Sequence, residues 1–251
     1  MIARFLCAAV ALLATTHADQ KPTDFLPVAE KQKLQPSPIN EASGLAISSA
    51  DPGFMWIVND SGGAPDVYLT GTDGTYRGKV TLKDTKNIDW EDLASFTLDG
   101  KNYLLVADSG DNNSKRDSCT LHILREPAIP ESGKNLDATV LPSWQIQFRY
   151  EDGPRDCESV AVDAQAGKII LISKRTNPPE VYELPLRAPA KRGIQTALKI
   201  GPTAVKCPTV SFIPFHDQPV GLDITADNSL AAVVTYYGVF LFPRQPKESW
   251  A

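Results

Sequence analysis

The chain has 251 residues, with 30 acidic and 25 basic side chains and a net charge of −5. That mild acidity, with no basic stripe, excludes the electrostatic footprint of a nucleic-acid binder. The four cysteines lack zinc-site spacing, and no apolar run is long enough to cross a hydrocarbon core of ~30 Å, so no membrane span is expected.

The first residues read as an export signal. Met1-Ile-Ala-Arg4 supplies a positive start, residues 5–14 an apolar stretch, and Thr16-His-Ala18 a small-residue cleavage site. Residues 1–18 are therefore expected to be a signal peptide and 19–251 the mature domain, secreted or periplasmic. Cys7 lies ahead of most of the apolar stretch, which argues against a lipoprotein. Export leaves Cys119, Cys157 and Cys207 in an oxidising compartment, where one disulfide and one free thiol are permitted and the pairing stays open. Cys157 reads as a buried small hydrophobe.

From residue 41 onward one motif recurs at the head of an apolar strand: Glu41-Ala-Ser-Gly-Leu-Ala46, Asp89-Trp-Glu-Asp-Leu-Ala94 and Asp156-Cys-Glu-Ser-Val-Ala161. An eroded copy, Gln218-Pro-Val-Gly-Leu-Asp223, keeps the Gly-Leu core without the acids. Each is followed by a second strand with a polar end, at residues 54–60, 103–108, 169–174 and 231–236. The first unit predicts strands over 44–48, 54–58, 67–70 and 77–82, with turns at Asp51-Pro-Gly53 and Thr72-Asp-Gly74. The second predicts 93–98, 103–106, 120–124 and 143–150, with Asp99-Gly100 as its hairpin turn. No long amphipathic helix is visible. The expectation is an all-β chain, a β-propeller of four-stranded antiparallel blades with about four units recognisable.

Strand periodicity turns the repeat into chemistry, because residues two apart share a face. Asp89 pairs in this way with Glu91, and Asp156 with Glu158. In the first unit the equivalents are Glu41 and Ser43. In a propeller the inner strands line the axis, so these acids are expected to meet at one mouth of a central channel. The second strands return Asn59, Asp60, Asp108 and Lys174 to the same place. So many carboxylates need a compensating cation, and Asp, Glu and Asn oxygens suit a hard one, Ca²⁺ ahead of Mg²⁺. The expected ligands are Glu41, Asp60, Glu91, Asp108 and Glu158. Each acid has an alternative use as a hydrogen-bond acceptor for amides of the next blade. Lys174-Arg175 would favour an anion, unless Lys174 simply pairs with Glu158. Trp90 reads as packing against a neighbouring blade.

With these residues the chain resembles the secreted bacterial propellers of the esterase-like phytase and gluconolactonase-type group. The resemblance rests on the three acidic motifs together with Asn59-Asp60-Ser-Gly62, Asp108-Ser-Gly-Asp-Asn112 and Gly221-Leu-Asp-Ile-Thr225. It implies five or six blades and calcium in the central channel, held by acids and amides of several blades. With four units countable, it also implies a truncated member, incomplete at the C-terminus or completed by residues 24–35.

Two uses of such a site follow. A metal-dependent hydrolase of phosphate esters or lactones would have the metal polarise an oxygen while Asp108 or Asp156 activates water beside Lys174. The alternative is a non-catalytic, calcium-stabilised binding module for a periplasmic or cell-surface ligand. Gly-x-Ser-x-Gly and His-Glu-x-x-His are absent. His122 is expected on a blade face and His216 in a loop. The expected partner is a small anionic molecule or surface ligand, and the expected state a monomer.

Overall fold

The structure, a computed structural model, describes residues 33–35, 37–187, 193–206 and 215–250, and among these every regular element is a strand. The expected signal peptide, Cys207 and residues 24–32 lie outside the described residues. Among those that are described, no helix is long and apolar enough to cross a membrane.

The first blade is β1 (Ala42–Ile47), β2 (Phe54–Asn59), β3 (Asp66–Gly71) and β4 (Tyr76–Leu82), paired antiparallel in order. In the second, β5 (Trp90–Leu98), β6 (Lys101–Asp108) and β7 (Cys119–Arg125) follow in the same way. The chain then sends β8 (Leu136–Val140) back to pair in parallel with β4, before β9 (Trp144–Tyr150) closes the second blade against β7. The third blade is β10 (Val160–Asp163), β11 (Lys168–Ile172), β12 (Glu180–Pro185) and β13 (Gln195–Pro202). The described strands of the fourth are β14 (Pro219–Ile224), β15 (Leu230–Thr235) and β16 (Val239–Pro243). The predicted Asp99-Gly100 hairpin is present, with both residues at positive φ, as a tight turn between twisted strands requires.

Strand alternation gives each inner blade two apolar faces, and the faces stack into three cores. Trp56, Leu69 and Val80 meet Trp90, Leu104 and Val106 between the first two blades. Tyr103, Leu121 and Phe148 meet Val160, Leu171 and Tyr182 between the second and third. Ala161, Ile170 and Val181 meet Leu222, Ala231 and Val233 between the third and fourth. Trp90 is fully buried packing, as expected, and Cys157 and Cys119 are buried free thiols that burial pushes up to about 12. The tail is seated as well: Trp250 packs on the last core, donates from Nε1 to Asp163 at 2.9 Å and lies under the Arg244 guanidinium.

The inner strands β1, β5, β10 and β14 gather around one axis, β5 touching each of the other three. The architecture is a β-propeller. Blades two and three are further fused, because β13 pairs in parallel with β9 and makes one eight-stranded sheet.

The recurrent motif has a structural meaning of its own. In each blade the pairing of the inner strand with the second slips by one residue across the motif: between Ala42 and Leu45, Trp90 and Asp92, and Pro219 and Gly221. In the third blade the slip falls between the Asp156 to Lys174 bridge and Val160. Each copy is thus a β-bulge, which bends the strand and re-aims its side chains. This is how the acids at its head leave the blade faces and turn to the mouth.

Candidate functional site

At the mouth the bulges bring together two overlapping groups of carboxylates that share Glu91. Asp60, Asp89 and Glu91 place ligand oxygens within 4.8 Å of one another, and so do Glu91, Asp156 and Glu158. Position 60 directly follows β2, 89 and 91 come from the bulge at the start of β5, and 156 and 158 from the bulge before β10. Asn87 ties the first group together, donating to the carbonyls of Asn59 and Asp60 at 3.1 and 2.7 Å and accepting from the Trp90 amide. Gly110 closes over it. A methyl group there would lie 2.5 Å from Asp89 Cγ and Glu91 Oε1, so those side-chain ends would have to shift to admit one.

The two groups differ in charge compensation. Glu158 forms an ion pair with Lys174, whose Nζ also meets the Tyr236 hydroxyl at 3.1 Å. Asp156 is fully engaged: Oδ1 accepts from the Asp111 amide at 2.9 Å and Oδ2 from Arg175 Nε at 2.6 Å. Arg175 adopts a left-handed backbone conformation and also binds Asn112. Among the described residues no such cation pairs with Asp60, Asp89 or Glu91. Glu91 accepts a 3.0 Å hydrogen bond from Ser43, and Asp60 one from the Ser61 amide.

The consequence is written in proton affinity. Burial first, then the charges of Glu158, Asp60 and Asp89, push Glu91 up to about 9. Burial and Asp60 push Asp89 up to about 6. Burial also raises Glu158, with the Lys174 hydrogen bond and charge opposing it. Burial works against the Lys174 ammonium, but Glu158 and Tyr236 outweigh it and its affinity for the proton rises.

Below the mouth the axis is closed by Asp92, a residue the repeat comparison passed over. Its copies are Gly44, Ser159 and Gly221. The buried carboxylate accepts from its own strand at Leu93 (2.8 Å), from the third blade at Val160 (2.7 Å) and from the fourth at Leu222 (3.3 Å). The first blade approaches by backbone alone. A Cβ at Gly44 would lie 2.5 Å from the Asp92 carbonyl carbon. At this level the expected open channel is a packed hub.

The remaining expected residues take these places. Glu41 is exposed and belongs to neither carboxylate group. Asp108 is buried beside the groups, where it holds Arg116 Nη2 at 2.8 Å and the Asp89 amide at 3.3 Å. Arg116 also donates to the Gly110 carbonyl. Asp108 and Asp156 are therefore both spent on guanidinium groups, and neither stands as a free base. Lys174 pairs with Glu158, the alternative use considered for it. Asp89 belongs to the uncompensated group although it was left out of the expected ligands, and its place as the first residue of the repeated motif was the available signal.

No protein-family model matches the chain, and no curated protein matches it. Two similar solved structures are a chain of the nidogen/laminin complex (13% identity, TM-score 0.44) and the Cps50 (Swd1) β-propeller domain of Myceliophteria thermophila (10% identity, TM-score 0.42). The alignments cover 80% and 81% of this chain, and 60% and 54% of those chains.

Proposed function

We propose that the mouth holds one hard divalent cation, calcium ahead of magnesium, on Asp60, Asp89 and Glu91, in a propeller that is exported from the cell. One observation carries this reading: three carboxylates from two blades converge within 4.8 Å, and among the described residues none of them forms an ion pair. The donor set is all oxygen, as hard cations require. Bound there, the cation would supply the missing charge and staple the first blade to the second. The resemblance to calcium-holding secreted propellers points the same way.

The test is a thermal melt of the mature protein in EDTA, then with Ca²⁺ or Mg²⁺. A ligand that binds only the folded form stabilises it, by about 2.7 kcal/mol at a hundredfold excess over Kd. Calcium should raise the melting temperature in the parent and leave Glu91→Gln unmoved. No rise in the parent removes the metal reading.

A second reading, hydrolysis of an anionic phosphate ester or a lactone, is favoured by the fixed cations Lys174 and Arg175 on the adjoining group. When bound, the metal would polarise the phosphoryl or carbonyl oxygen. With Asp89 among the cation's ligands and Asp108 and Asp156 held by guanidinium groups, the attacking water would be activated by the metal itself. Calcium-dependent turnover of p-nitrophenyl phosphate or simple lactones, lost in Asp89→Asn, would establish it. Calcium binding without turnover of either class leaves the binding module.

A further inference from the structure

The face of blade two that turns toward blade one changes character along its length. Leu104, Val106 and Leu124 belong to the shared apolar core. Nearer the mouth the same face presents Asp108, Thr120, His122, Gln145 and Gln147, in register across β6, β7 and β9. These groups line a cleft of about 540 Å³, whose opposite wall is the connection from β4 to β5 with Lys86 and Ile88. That is within the size range of small-molecule sites.

His122 sets the chemistry of the cleft. It is only 5% exposed, its ring lies 6.1 Å from that of Trp90, and its Nδ1 is 2.9 Å from the Gln145 amide nitrogen. Burial pushes its pKa down to about 4, so the ring is neutral at physiological pH. With the Gln145 amide donating to Nδ1, the proton resides on Nε2. That buried N–H has no hydrogen-bond partner among the described residues, and neither has the indole N–H of Trp90. Buried donors are normally satisfied, and His122 is one of the residues lining the cleft, so an acceptor seated against its ring would satisfy this one.

The lining also says what kind of acceptor. Thr120, Gln145 and Gln147 are neutral groups that both donate and accept. Asp108 is committed to Arg116. Asp84 and Lys86, also on the cleft, carry opposite charges. Half-exposed Ile88 offers an apolar edge. We propose that this cleft binds a small neutral polyhydroxylated molecule, a mono- or disaccharide, with a hydroxyl oxygen accepting from His122 Nε2 and its neighbours meeting Thr120 and the glutamine amides. A hydroxyl is both donor and acceptor and so matches this wall, whereas a free carboxylate would lose its hydration beside buried Asp108.

Saturation-transfer NMR and tryptophan fluorescence of the whole mature chain, with D-glucose, maltose and sodium glucuronate as probes and EDTA throughout, test this. The neutral sugars are expected to bind without calcium. Thr120→Val, which keeps the side-chain shape, and His122→Phe should each weaken binding by about tenfold or more, as loss of a buried polar contact does. The melting temperature of Thr120→Val should stay at the parent value, so that its result reports the contact and not the fold. Failure of both neutral sugars to bind, preference for glucuronate, or unchanged affinity in both variants would each overturn the proposal. None of these outcomes depends on whether the mouth binds a metal.

Discussion

Glu91 and Asp92 are consecutive buried acids on one bulge, and they solve the problem of burial in opposite ways. Asp92 turns inward and gives its oxygens to backbone amides of three blades. Its pKa rises to about 8, first through burial and last through the charge of Asp223, with those amides pulling it down. Glu91 turns to the mouth, receives a single hydroxyl, and is raised by neighbouring acids as well as by burial. The inner acid is completed by the fold. The outer one is left with a charge deficit that only a proton or a cation can fill.

The largest effect expected from this contrast is in Asp92→Leu. It strands amides on three blades, and at about 1–3 kcal/mol for an unsatisfied buried group the loss should total about 3–5 kcal/mol in urea unfolding. Glu91→Gln should move the other way, stabilising the cation-free protein by about 1–3 kcal/mol near neutral pH, because the amide is neutral in both states and avoids the cost of protonating Glu91 on folding. Two losses of similar size would break the comparison.

The pH dependence sharpens it. For Glu91 the folded state holds its proton up to about 9 against an ordinary 4.5, so between those values the folded state binds more protons and stability falls as pH rises. Asp89, raised from 3.8 to about 6, and Asp92, raised from 3.8 to about 8, act in the same direction over their own windows. Calcium should flatten the Glu91 and Asp89 part of the decline in melting temperature and leave the Asp92 part in place. A curve unchanged by calcium would show that the mouth acids do not meet the ion.

A smaller effect is expected for Gly110→Ala. Its methyl group would press on the movable ends of Asp89 and Glu91. Calorimetry should show calcium affinity down by about tenfold, with stability changed by less than about 1 kcal/mol. The smallest is Arg187→Ala, which breaks an exposed pair with Asp99 and should shift stability by less than about 0.5 kcal/mol.

The repeat made the blades legible, because alternation and turn residues are local signals. Strands predicted at 54–58 and 120–124 fall within β2 and β7. What alternation did not supply was the bulge, since an extra residue is invisible until the partner strand is known. The convergence of Asp60, Glu91 and Glu158 on the mouth could be anticipated from the motif. Their division into compensated and uncompensated groups could not, because it also turns on Arg175, whose left-handed backbone brings its guanidinium to Asp156. Asp92 carried a weak signal, a charge where the other copies have Gly or Ser. Strand β8 carried less, because its parallel partner in blade one is distant in sequence.

That strand has a consequence for how the molecule is made. Blade one is finished at its outer edge only when residues 136–140 arrive, and the edge of β9 is covered only when Gln195–Pro202 reaches it. A chain emerging from N- to C-terminus therefore carries a bare strand edge through much of its synthesis, with blades one and two each capped by a segment still to come. Such edges recruit other chains, so stalled or shortened translation products should aggregate more readily than the full-length protein.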